Sequence, residues 1–197
     1  MRRLIVNEFL SLDGVMQAPG GQDEDRSGGF EHGGWQQPYF DEVFAEAITT
    51  GMAEAGGFVL GRTTWEIFAS YWPTAPAEVR GVADPLNTLP KHVASRTLSE
   101  PLGWSNSTLI AGDVAEGIRR LKGETGKDLH VFGSGDLVQT LIESDLIDEY
   151  RLMIHPVVLG SGVRLFRDGT PRRPLDLVDT KASTTGVLIT TYRPADK

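Results

Sequence analysis

The sequence predicts an α/β fold on a largely parallel sheet, and three observations carry that expectation. Residues 129–166 condense a strand, a glycine turn, a helix and a second strand into one short stretch. The order strand, glycine, helix start recurs at Gly61, Gly112 and Gly133. The chain then closes on two β-rich runs, 175–178 and 187–192, on either side of Gly186, as an antiparallel pair would.

The βαβ stretch is the most informative. Leu129, Val131 and Phe132 make an apolar run too short for a helix, and Gly133, Ser134 and Gly135 break it. Asp136 is the expected N-cap, after which Leu137, Val138, Leu141 and Ile142 fall on one helical face. A second β-rich run covers 150–159, and a crossover helix makes the two strands parallel. A glycine turn that feeds a helix start leaves backbone N–H groups pointing outward with the positive end of the helix dipole behind them. The unit is built to hold an anion, and a phosphate is the natural one.

Composition sets the outer limits. The 197 residues suffice for one domain with a sizeable core, and no linker or repeat divides them, so residues 1–197 read as a single domain. With 27 acidic against 19 basic side chains the net charge is -8, which argues against broad contact with nucleic acid or an anionic membrane. An anionic ligand must therefore be bound locally. There is no cysteine, which excludes disulfides and thiolate metal sites and fits a cytoplasmic protein. The first apolar run is cut by Asn7 and Glu8, so it is no signal peptide, and nothing reaches transmembrane length.

In chain order, residues 3–12 form the first strand, ending at the Asp13-Gly14 turn. Residues 16–38 are a glycine-rich loop with Phe30 and Trp35 as its large anchors, and a loop of that length is functional or disordered. Residues 39–52 are a helix opened by Pro38. Residues 57–60 are a buried strand, and Thr63 with Glu66 fits a capping box for the helix that follows. Pro73, Pro76, Pro85 and Pro90 punctuate an irregular region, after which residues 92–94 make a short strand. Residues 108–111 are another strand, with Asp113 and Glu116 capping the next helix.

Any one of the glycine turns needs no ligand to explain it. Three at one sheet edge, with Arg62 and Arg96 near them, point to a phosphate-rich ligand bound outside the strand ends. The Rossmann fingerprint is missing, because Gly133-Ser134-Gly135 lacks a third glycine, and there is no P-loop, no nucleophile elbow and no HExxH. The four histidines lack metal-ligand spacing, so no metal is expected. Asp13 ends the first strand just before the long loop; it either makes an Asp-Gly turn or meets a ligand.

Across nearly the whole chain these pieces resemble the dihydrofolate reductase-like superfamily, most closely the reductase domain of bacterial riboflavin biosynthesis. The resemblance rests on Ser11-Leu12-Asp13-Gly14, on Leu60-Gly61-Arg62-Thr63-Thr64-Trp65-Glu66, on Lys91 with Val93-Ala94-Ser95-Arg96-Thr97-Leu98, on Gly133-Ser134-Gly135, and on Pro156-Val157-Val158-Leu159-Gly160-Ser161-Gly162. It implies a mostly parallel eight-stranded sheet with flanking helices and a C-terminal antiparallel hairpin. It also implies NADPH as cofactor, a small heterocyclic substrate of pteridine or aminopyrimidine type, and a homodimer. Carried over by position, Gly61, Arg62, Thr63 and Thr64 would meet phosphates, Ser95 and Arg96 the 2′-phosphate, and Gly133, Ser134, Gly135 and Asp136 the pyrophosphate. Asp13 matches the substrate-side aspartate, the expected catalytic residue. Asp41 and Glu42 give no firm match to the acid that folate-reducing members use. The alternatives are the aminouracil reductase step of riboflavin synthesis and a nucleotide-binding sensor without turnover.

Overall fold

The structure, a computed structural model, describes residues 1–195. Its strands are β1 (Leu4–Ser11), β2 (Gly57–Gly61), β3 (Lys91–Ala94), β4 (Ser107–Leu109), β5 (Leu129–Phe132), β6 (Glu149–His155), β7 (Leu175–Ala182) and β8 (Leu188–Pro194). They form one eight-stranded sheet in the order β4-β3-β2-β5-β1-β6-β8-β7. From β4 to β6 every pair is parallel; β8 runs antiparallel to β6, and β7 antiparallel to β8. The expected α/β class, parallel sheet and closing hairpin are all present. Strands β5 and β6 are parallel as the sequence implies, but β1 lies between them, so the crossover spans a strand.

Five α-helices cover the two faces: α1 (Glu42–Glu54), α2 (Arg62–Tyr71), α3 (Arg80–Thr88), α4 (Val114–Gly123) and α5 (Gly135–Glu143). Alternation along β1 sorts its side chains. Leu4, Val6 and Leu10 join Ile118 of α4 and Leu137 and Leu141 of α5 on one face. On the other, Phe9 meets Phe44 of α1 and Met153 of β6, while Met52 of α1 and Trp65 of α2 pack on Phe58 and Leu60 of β2. Each large apolar side chain so buried is worth about 1.5–3 kcal/mol, which is what fixes the strand faces. No helix among the described residues is long and apolar enough to cross a membrane.

Three helix starts differ from the sequence expectation. Pro38 lies in a separate 3₁₀ turn (Gln37–Tyr39), and α1 begins after Asp41, whose carboxylate accepts the Phe44 N–H at 2.8 Å. A carboxylate that satisfies an orphan N–H outcompetes a proline that merely lacks one. Helix α2 starts directly after Gly61 with no side-chain cap, so Thr63 and Glu66 form no capping box. Helix α5 starts two residues earlier than expected, after Ser134 in the left-handed region, which leaves Asp136 inside the first turn. The proline-rich stretch also holds a full helix, α3, with Pro85 in its interior. Buried Lys91 repairs its end: Nζ donates to the Leu86 and Leu89 carbonyls at 2.7 and 3.0 Å and sits 4.5 Å from the Trp104 ring centre.

The topology opens one crevice. The chain leaves β1 toward α1 on one face and β5 toward α5 on the other. Strand β5 stops at Phe132, opposite Asn7, while β1 continues beside β6 to Ser11. Diverging exits at the C-terminal ends of neighbouring parallel strands are where open α/β sheets take their ligands.

Candidate active site

Of the three glycine turns, two leave their helix starts open and one closes itself. At α4 the Asp113 carboxylate accepts the Glu116 N–H at 2.9 Å, so that N-terminus is already served. Helices α2 and α5 have no side-chain cap, and their first N–H groups carry the helix dipole outward. The two open turns touch: the Gly61 N–H donates to Ser134 Oγ at 2.7 Å, and the Ser134 hydroxyl donates to the Phe132 carbonyl at 3.3 Å. Gly133 has φ 55, a conformation that favours glycine, and a Cβ there would crowd Thr64 Oγ1 at 3.1 Å. Ser134 is itself left-handed at φ 67, a strain of roughly 1–2 kcal/mol that its bond to Gly61 helps to hold.

Gly61, Thr64, Gly133 and Ser134 therefore converge as the sequence implies. Gly135 and Asp136 are turned away. A Cβ on Gly135 would lie 3.1 Å from the Arg167 guanidinium and 3.2 Å from Val163, and its own φ is not positive. Asp136 is exposed and pairs with Arg167 at 2.8 Å. On the same side of the crevice as β5, Arg62 reaches Glu66 at 2.8 Å and Thr97 Oγ1 at 2.7 Å, tying the β2 turn to the β3 turn. Ser95 Oγ accepts the Thr97 and Leu98 N–H groups at 3.1 and 3.0 Å. Arg96 and Thr63 stand exposed beside them, and Arg96 makes no ion pair among the described residues.

Asp13 is fully engaged with protein. Its carboxylate accepts the Ser11 hydroxyl at 2.7 Å and the Leu159 and Gly160 N–H groups at 3.0 and 2.9 Å, and Arg164 approaches at 3.5 Å. Burial alone would raise its pKa, but the Leu159 N–H, the Ser11 hydroxyl and the Gly160 N–H outweigh it and hold the carboxyl well below the ordinary carboxylate range. It is a brace between the end of β1 and the loop after β6. The long loop after Asp13 is also folded rather than open. Phe30 and Trp35 are buried against Val15 and Ala18, Trp35 Nε1 donates to the Gln17 carbonyl at 2.8 Å, and the Trp35 ring stands edge-on to His155.

A cleft of about 380 Å³ lies between α1 and the sheet, floored by Asn7, Phe9, Phe132 and Met153 and walled by Val43 and Ala47. Asp13 is not among its lining residues, but Glu8 borders it. Glu8 is 4% exposed, its Oε1 has no hydrogen-bond partner, and the Gly133 N–H is the group that bonds its carboxyl. The sequence signal was there: Glu8 interrupts the inward series Leu4, Val6, Leu10, where an unpaired charge is costly.

Sheet order, diverging exits and paired open helix starts define an α/β protein of the dihydrofolate reductase-like superfamily. Within it, the chain belongs to the family described as the RibD C-terminal domain, whose model matches residues 2–189. It is 30% identical over 194 residues to the uncharacterized protein YyaP of Bacillus subtilis, covering 97% of this chain and 94% of that one. The uncharacterized protein YwjB of the same organism is 42% identical over 62 residues, 32% of this chain and 36% of that one. Among solved structures, a putative riboflavin biosynthesis protein from Shewanella sp. PV-4 superposes with TM-score 0.69 at 24% identity, covering 98% of this chain and 99% of that one. A pyrimidine reductase-like protein from Corynebacterium diphtheriae gives TM-score 0.63 at 14% identity, with 100% and 93% covered. The first of these neighbours is thus described by riboflavin biosynthesis and the second by its likeness to pyrimidine reductases.

Proposed function

We propose that the protein is an NADPH-dependent reductase that delivers hydride to a C=N or C=O of a small pteridine- or aminopyrimidine-like heterocycle. The observation that carries this reading is the pair of uncapped helix starts at Gly61 and Gly133–Ser134, joined to each other at the crevice of a RibD C-terminal domain fold. The donor set fits a dinucleotide phosphate. Two helix N-termini face the crevice, Gly133 leaves room beside Thr64 Oγ1, and Arg96 with Ser95 stands two strand positions away for a 2′-phosphate.

When bound, NADPH supplies the hydride. The chain supplies position. Arg62, Thr63 and Thr64 serve the phosphate side, and Asn7, Phe9 and Phe132 offer a flat ring a floor beside the crevice. Asp13 serves the substrate side as a positioning residue, acting through the loop it pins at Leu159 and Gly160. The homodimer expected from the resemblance remains part of the proposal.

The test is NADPH oxidation against a panel of pterins and aminopyrimidines. The names of the structural neighbours put the phosphoribosylamino-uracil of riboflavin synthesis first on that panel. Oxidation coupled to one acceptor supports the reading. Binding of NADPH without oxidation by any acceptor would make the protein a nucleotide sensor instead.

A further inference from the structure

We propose that the Asn7 carboxamide reads the substrate: its Oδ1 accepts an N–H of a neutral heterocycle seated in the cleft between α1 and the sheet. The assignment rests on the NADPH-reductase reading above and names the contact that selects within it. Alternation along β1 puts Asn7 on the Phe9 face, toward α1, and that is the face the cleft occupies. Its strand neighbours are Phe132, the last residue of β5 before the Gly133 turn, and Arg151 of β6. The carboxamide therefore stands in the cleft floor beside the strand end that leads into the cofactor turn.

The amide is held one way round. Nδ2 lies 3.2 Å from the Ile5 carbonyl, 3.3 Å from the Val131 carbonyl and 3.3 Å from His130 Nδ1. An oxygen in that place would face two other oxygens, so the two carbonyls fix the atom as the donor. Burial and the nearby Arg151 push the His130 ring down to about 4, so it is neutral at neutral pH and its Nδ1 can accept. His130 is thus a positioning residue for the amide. Asn7 Oδ1 is left without a partner among the described residues, although only 6% of Asn7 is exposed. It is not one of the acceptors sealed inside the protein, so the little exposure that Asn7 has includes this oxygen. Buried polar groups are nearly always paired, and an open acceptor in an otherwise apolar floor is paired when a donor arrives.

The rest of the cleft narrows the ligand. Phe9, Phe132 and Met153 around Asn7 are apolar and suit the faces of a flat ring. The charged groups of the lining already answer one another: Arg151 pairs with Glu54 at 2.7 Å and Glu149 at 2.8 Å, Arg193 with Glu149 at 2.9 Å, and Lys181 with Glu46 at 3.5 Å. Among the described residues no lining cation is left over for an anionic group. A neutral ring with an N–H edge meets both conditions; a ring with every nitrogen substituted does not.

The test titrates the NADPH-loaded protein with two pteridines, lumazine, which carries ring N–H groups, and 1,3-dimethyllumazine, in which both are methylated. The wild type should bind lumazine about tenfold or more tightly, because a site with a buried acceptor rejects the analogue that leaves it unpaired. Asn7→Leu has a similar volume but no acceptor, so any steric cost of the methyl groups persists in it. Its preference for lumazine should shrink roughly tenfold, through weaker lumazine binding, with NADPH affinity within about twofold of wild type. The wild-type comparison needs no variant and decides the matter even where leucine unfolds the chain. Equal wild-type affinity for the two pteridines, binding of neither, or a preference that survives Asn7→Leu unchanged would each overturn the assignment while leaving the reductase reading, which stands or falls with NADPH oxidation, intact. A wild type that binds no NADPH would overturn both.

Discussion

Helices α1 and α4 begin on their own aspartates, whereas α2 and α5 begin on Gly61 and Ser134 with no side-chain cap. All four follow strands of one sheet, and all four face the same problem of orphan N–H groups. Asp41 and Asp113 solve it within the chain, and those helix ends are structural. At α2 and α5 the chain spends a left-handed glycine, a left-handed serine and a cross-turn hydrogen bond to keep the ends close together and unfilled. The contrast shows that a glycine turn before a helix is not itself a phosphate site; what matters is whether the next residues fill the end they open.

The contrast breaks most visibly at two glycines with similar backbone strain. Gly133 has φ 55 with Thr64 at 3.1 Å from a Cβ, and Gly112 has φ 74 with nothing within 4 Å. Valine at either position should lower stability by roughly 1–3 kcal/mol in chemical denaturation. Only Gly133→Val should also weaken NADPH binding, by about 100-fold or more in a fluorescence titration. Comparable affinity losses in both variants would mean that the open and closed turns do not differ in function.

Acid should weaken the self-filled positions next. Asp41 is held down to about 2 by the Thr184 hydroxyl and the Phe44 N–H, and Asp13 lies below its ordinary range as well. A carboxyl with a lowered folded pKa contributes stability above its unfolded value near 3.8 and loses it as pH falls through the folded value. Unfolding midpoints should therefore drop between about pH 4 and pH 2, and less steeply in Asp13→Asn and Asp41→Asn. Profiles that superpose on the wild type would remove both residues from the account. The smallest effect is expected for Asp113→Ala, about 1 kcal/mol of stability from the lost cap, with NADPH affinity unchanged.

Much of this architecture was legible in the sequence because it rests on strong local signals. Short apolar runs ended by glycine gave β2 and β5, the Asp113 and Glu116 spacing gave the α4 cap, and Gly186 marked the hairpin. What was not legible depends on tertiary partners. Helix α3 survives Pro85 because Ala83 and Leu86 are buried and Lys91 satisfies its last carbonyls, none of which a proline count reveals. Ser134 as the left-handed N-cap position of α5 depends on Gly61, far away in sequence, and so Asp136 looked like the cap. Asp13 stood out by its position beside Gly14, but its saturation by Leu159 and Gly160 needed the fold. Glu8 interrupts the inward apolar series of β1, but a strand with one charged residue still reads as a strand.

The central claim is that the paired open turns and Arg96 hold NADPH. Its most direct test is an equilibrium titration of the wild type and Arg96→Ala with NADPH and with NADH, followed by tryptophan fluorescence. The account predicts that the wild type binds NADPH at least tenfold more tightly than NADH, and that Arg96→Ala loses roughly tenfold or more for NADPH with little change for NADH. A wild type that binds neither dinucleotide, or an Arg96→Ala variant that weakens both equally, would contradict it.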